Sequence, residues 1–107
     1  MYKRKYKEFN IIHVMLRPDE TEVTKSDLYK NMRIKIETGL KRNACFSESF
    51  LFLDDDKKAN NYHNVFKFIC KEARQNGWEC NTKYKTSSGL FSFGAKTKDV
   101  GIDISLP

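Results

Sequence analysis

Apolar and polar positions alternate with two different periods along the chain. Val100, Ile102, Ile104 and Leu106 alternate with Asp99, Gly101, Asp103 and Ser105. That is the period of a half-buried strand. Tyr62, Val65, Phe66, Ile69, Cys70 and Ala73 recur instead at helical spacing and predict an amphipathic helix over 62–76. Asn60 or Asn61 is its expected N-cap and Gly77 its expected C-terminal stop. A second stripe, Leu28, Met32 and Ile36, predicts a helix over 25–41 with Thr24 as N-cap. Gly39 weakens its last turn.

Nearly continuous apolar runs mark two further strands. Phe9 to Arg17 is closed by Pro18 and reads as a strand buried on both faces, with His13 as a hydrogen-bonded core residue. Pro18 to Val23 reads as an acidic loop and Asn43 to Glu48 as another loop. Phe50 to Leu53 is a short apolar strand that stops at Asp54, Asp55 and Asp56. Trp78 to Thr86 alternates, with Lys83 and Lys85 on one basic face. Ser87-Ser88-Gly89 turns it back into Leu90 to Phe93. The expected order is β-α-β-α-β-β-β. It describes a small mixed α/β sheet with a parallel core, two helices and a C-terminal antiparallel hairpin.

The 107 residues suffice for one domain over 9–107, preceded by a basic arm over 1–8. Apolar residues make up 39% and charged residues 32%, with a formal charge of +6 and a pI near 9.3. That balance suits a polyanion such as nucleic acid, or an acidic protein surface. Cys45, Cys70 and Cys80 are odd in number and widely spaced, so reduced thiols in a cytoplasmic protein are expected rather than a disulfide framework. The apolar run near the N-terminus is too short for a membrane span, and no membrane partner is expected. Homo-oligomerisation stays open.

Two chemistries deserve weight. Lys3, Arg4 and Lys5 in the arm, with Lys83, Tyr84, Lys85, Lys96 and Lys98 around the hairpin, combine basic groups with an aromatic ring. They are the expected contacts to RNA or single-stranded DNA through phosphate pairing and base stacking. The plainer reading is a solvated arm and aromatics that pack the sheet. Asp54 and Asp55 stand at the C-terminal end of a strand, where α/β sheets place ligands. The plainer reading of that triplet is an acidic turn that starts a helix. No phosphate loop, dinucleotide fingerprint, zinc spacing or nucleophile elbow is present in the sequence.

The second half resembles the NYN domain, a PIN-like family of RNA-processing nucleases. The residues that carry the resemblance are Phe50 to Asp56, Gly77-Trp78-Glu79-Cys80, Lys83 with Lys85, and Lys98-Asp99-Val100-Gly101-Ile102-Asp103-Ile104. By position, the resemblance makes Asp103 a metal-holding aspartate. Asp54, Asp55 and Asp103 would then be catalytic, with Asp54 and Asp103 on Mg²⁺ or Mn²⁺. The chain departs from the family where its first strand runs into Arg17-Pro18-Asp19 rather than an aspartate-glycine-asparagine turn. The resemblance therefore implies a shortened or inactive relative that keeps the scaffold and the basic surface. The first expectation is a basic nucleic-acid-binding or regulatory module without turnover and without a cofactor. The alternatives are a metal-dependent ribonuclease, or a phage or mobile-element regulator that binds a host protein.

Overall fold

In this computed structural model, residues 18–88 and 96–106 are described. They form α1 (Pro18–Lys25), α2 (Asp27–Asn43), β1 (Cys45–Leu53), α3 (Asp56–Gln75), β2 (Glu79–Ser88) and β3 (Lys96–Ser105). The expected strand over 9–17 and the expected return strand over 90–93 lie outside the described residues.

Pro18 opens a helix rather than an acidic loop. Proline's fixed φ and missing N–H suit a first helical position, so it punctuates here without breaking. Glu20 in α1 is buried and is bridged by Lys71 of α3 at 3.1 and 3.2 Å. The break before α2 falls at Ser26, whose hydroxyl accepts from Tyr29 N and donates to the Val23 carbonyl. That corrects the expected cap at Thr24 by two residues. Tyr29, Met32, Ile36 and Leu40 then form the buried stripe of α2, while Leu28 is half-buried. Gly39 sits where an added Cβ would lie 2.8 Å from the Phe46 ring, so it admits that ring against the helix.

Ala44, in the left-handed region (φ 56°), ends α2 and leads straight into β1. The residues expected as a loop over 43–48 are therefore mostly strand. Phe46, Glu48, Phe50 and Phe52 point to the helix side, and Glu48 is held there by Lys35. α3 begins at Asp56, six residues earlier than its apolar stripe, because Asp55 is the N-cap. The stripe buries Val65, Phe66, Ile69, Cys70 and Ala73 as expected, and adds Ala59 and Phe68. Gly77 (φ 85°) follows α3 and turns the chain into β2.

The parallel core is overturned. Among the described residues the sheet has three strands in the order β1-β3-β2, and both pairings are antiparallel. There are three helices among the described residues, not two. β1 and β2 do run in the same direction, as a strand–helix–strand crossover implies, but β3 lies between them. The last strand is thus the central one. Val100, Ile102 and Ile104 are 0%, 3% and 0% exposed on its helix side. They meet Phe66, Ile69, Trp78, Cys80 and the α2 stripe in one core.

Candidate functional site

Strand alternation in all three strands leaves one face of the sheet bare among the described residues. Cys45, Ser47, Ser49, Leu51 and Leu53 of β1 share that face with Thr97, Asp99, Gly101, Asp103 and Ser105 of β3. Glu79, Asn81, Lys83, Lys85 and Ser87 of β2 complete it. Registers run Ser47–Asp103–Asn81, Ser49–Gly101–Lys83 and Leu51–Asp99–Lys85. Small side chains at the centre make a hollow of about 330 Å³ around Gly101, lined by Ser47, Ser49, Asn81, Lys83 and Asp103. A Cβ on Gly101 would enter it, 3.1 Å from both the Glu48 carbonyl oxygen and Ser49 Cβ.

Most of the side chains around the hollow are polar, and they carry both signs of charge. Lys83 Nζ bridges Asp99 at 3.0 Å. Lys83 and Lys85 are opposed on this face by Glu79, Asp99 and Asp103, so the face is not a basic stripe. Its β1 edge is apolar: Leu51 and Leu53 are 66% and 62% exposed.

The expected basic contacts divide between the two sides of the sheet. Lys83 and Lys85 lie on the bare face. Tyr84 and Lys98 lie on the helix side, because they occupy the alternate positions of β2 and β3. There Tyr84 donates to Asn60 Oδ1 at 2.7 Å. The Lys98 ammonium sits 5.2 Å from the Tyr84 ring centroid and donates to Thr86 Oγ1 at 2.7 Å. The His63 ring lies 4.7 Å from the Tyr84 ring. Burial, with the Lys67 charge nearby, pushes the His63 pKa below its ordinary value. The Tyr84 ring is thereby engaged by the protein itself, which leaves it less free to stack on a base. Lys96 is exposed, and its backbone is tied to Asp54. Lys3, Arg4 and Lys5 lie outside the described residues.

The acidic triplet has structural work for each of its members. Asp54 stands in the left-handed region (φ 49°), and its N–H donates to the Lys96 carbonyl at 2.9 Å. Its carboxylate accepts from Lys96 N at 2.9 Å. Asp55 caps α3 by accepting from Lys58 N at 3.1 Å, and Asp56 is the first helical residue. Asp103 pairs with Ser47, near the start of β1, whereas Asp54 follows Leu53 at its end. The strand rise puts roughly 20 Å between them. Asp54, Asp55 and Asp103 therefore do not converge on one cation within a chain. No group of three His, Cys, Asp or Glu side chains among the described residues is placed to hold a metal.

An Asp55→Ala variant is expected to lose about 1 kcal/mol of stability through the lost cap. The loss should be the same with Mg²⁺ or with EDTA in thermal melts. A melting point that Mg²⁺ raises in the parent and not in the variant would return Asp55 to a metal site.

Sequence reading missed Ser47, Ser49 and Asn81. The signal was present: Ser47 and Ser49 alternate with Phe46, Glu48 and Phe50. It was hidden by reading 43–48 as a loop. No helix among the described residues is long and apolar enough to cross a membrane. No family model, curated protein or solved structure matches this chain.

Proposed function

We propose that the chain is a non-catalytic module for single-stranded nucleic acid, RNA or DNA, that uses the bare face of its sheet. The observation that carries this reading is the polar hollow beside Lys83 and Lys85 on a face with no covering layer among the described residues. Its volume is at the lower end of the range for small-ligand sites, roughly 300–1,000 Å³. Ser47, Ser49, Asn81 and Asp103 present the donors and acceptors that base edges need. Lys85, which is exposed, supplies charge for the backbone beside it, while Lys83 is shared with Asp99.

Charge supports the same reading from elsewhere in the chain. Residues 1–17 hold Lys3, Arg4, Lys5, Lys7 and Arg17 against Glu8 alone, which accounts for four of the six net positive charges. The phosphate-binding part of the affinity is assigned mainly to that segment, with base contacts on the sheet.

The test is a gel shift of labelled single-stranded RNA and DNA, in EDTA and in Mg²⁺, across a salt series. Binding is expected to weaken as salt rises and to ignore EDTA. A Lys83→Glu/Lys85→Glu variant is expected to bind about tenfold more weakly at low salt and to show a shallower salt slope. Cleavage that needs Mg²⁺ and vanishes in Asp103→Asn would replace this reading with the ribonuclease. No salt-sensitive shift with either polymer would remove both. It would leave a protein partner on the same face, where Leu51 and Leu53 give an apolar edge.

A further inference from the structure

Asp103 sits on the central strand of the bare face, with Ser47 opposite it on β1 and Asn81 opposite it on β2. All three side chains are exposed, and all three line the hollow. Neither Asp103 nor Asn81 makes a side-chain hydrogen bond or ion pair with another described residue. Lys83, the cation of the next row, is committed elsewhere. Its Cε lies 3.5 Å from where a Cβ on Gly101 would stand, and its ammonium ends at Asp99, 3.0 Å away. Asp99 is on the side of Gly101 away from Asp103. Two residues of strand put roughly 7 Å between Gly101 and Asp103. The missing Cβ on Gly101 leaves that interval open to a flat ring.

We infer that this row selects guanine: a guanine base of the single strand seats in the hollow beside Gly101, with its Watson–Crick edge on Asp103 and Asn81. The inference rests on the proposed nucleic-acid function and names the base that the same hollow takes. An ionised carboxylate only accepts, through two oxygens side by side. Guanine alone among the common bases carries two adjacent donors on its pairing edge, N1–H and the 2-amino group. Adenine and cytosine each set one amino donor beside a bare ring nitrogen. Uracil and thymine set one N3–H between two carbonyls. A two-point contact with any of these would press an acceptor against a carboxylate oxygen. The group left on the guanine edge is O6, an acceptor, and the Asn81 carboxamide has an NH₂ to donate to it. Neighbouring strands lie roughly 4.8 Å apart, close to the width of that edge from the 2-amino group to O6. Asp103 on β3 and Asn81 on β2 thus match the two ends of one base.

The experiment uses the full chain and short labelled oligouridines that carry guanine, adenine, cytosine or hypoxanthine at the centre. Affinities are read by fluorescence anisotropy across a salt series. The guanine strand is expected to bind about tenfold more tightly than the adenine or cytosine strand, as a charge-assisted two-point contact to a base gives. Hypoxanthine keeps N1–H and O6 but lacks the 2-amino group, and its strand should fall in between. All affinities should drop as salt rises, while the ratio between strands holds, because a base contact releases no counterions. Asp103→Asn should lose the guanine preference without weakening the adenine strand. Asn81→Ala should shrink the preference about threefold through the lost bond to O6. It reads the same contact should Asp103→Asn fail to fold.

Equal binding of all strands that still weakens with salt would overturn the guanine assignment and leave the nucleic-acid module standing. A guanine preference that survives in Asp103→Asn, or that extends fully to hypoxanthine, would overturn the contact to Asp103. No salt-sensitive binding of any strand would overturn both.

Discussion

Raising the pH from 4.5 to 7 is expected to remove about 3 kcal/mol of folding stability that a Glu72→Gln variant keeps. Glu72 has no exposed surface. Its Oε1 accepts from the Tyr29 hydroxyl at 2.7 Å, while Oε2 takes no hydrogen bond. Arg33 Nε is 3.7 Å from Oε2, and the same guanidinium also donates to Glu37 at 2.9 Å. Burial raises the Glu72 pKa from 4.5 to about 7, against the opposing pull of the Tyr29 hydrogen bond and the Arg33 charge. The folded state thus holds a proton that the unfolded chain releases near 4.5. Stability from this group is complete below that value and is lost as pH rises through 7. Tyr29 stays protonated throughout, because burial and the Glu72 carboxylate raise its own pKa.

His63 acts in the opposite sense. Its folded pKa is lowered, so its contribution is present at high pH and is lost as pH falls through the ordinary histidine value of 6.5. The difference between parent and Glu72→Gln removes this common term. Urea melts of both proteins across the range measure it. Glutamine still accepts from Tyr29, and any fixed cost it brings is independent of pH. Parallel curves for the two proteins would mean that Glu72 titrates near its ordinary value, and hence that water reaches it.

This network also marks the limit of what sequence patterning reveals. Glu72 falls within the helical stripe region of α3, yet nothing in a hydrophobic pattern distinguishes a buried glutamate from an exposed one. Its partner residues are 39 and 43 positions away in α2. The α3 stripe itself was legible, because six apolar residues at helical spacing leave few alternatives. Strand adjacency was not. Helices between strands imply that β1 and β2 run the same way, and they do. Whether the two are neighbours depends on where the last strand inserts. Its apolar residues fall on one side only, as at many sheet edges, because the other side of the central position is Gly101 and polar groups.

The candidate site divides along the same line. Lys83 and Asp103 were named for different chemistries and meet at one hollow. Tyr84 and Lys85 were named together and lie on opposite faces. Neighbours in sequence on a strand cannot share a face, so a cluster of basic and aromatic residues within one strand is always split by the pleat. The carboxylates were ambiguous for a different reason. Aspartate is favoured equally in turns, at helix caps and around metals, and only the register distance between Asp54 and Asp103 separates these roles.

Phe66→Ala is expected to cost about 3–5 kcal/mol, a large share of the roughly 5–15 kcal/mol that holds a small domain folded. Phe66 is fully buried at the middle of α3. Its ring stacks 6.2 Å from Phe50 of β1 and meets Tyr62 edge-on at 6.2 Å. Truncation leaves a cavity between helix and sheet that rigid neighbours on both sides cannot close. Leu53→Ser is the informative contrast. Leu53 is large and apolar, but it points away from that core and is mostly exposed. With nothing covering the face among the described residues, its loss should change stability by less than about 0.5 kcal/mol. Urea melts of the two variants place the core and the face on one scale. A Leu53→Ser cost of about 2 kcal/mol or more would mean that the face is covered in the free protein. The binding surface would then have to be sought elsewhere, first in the basic N-terminal segment.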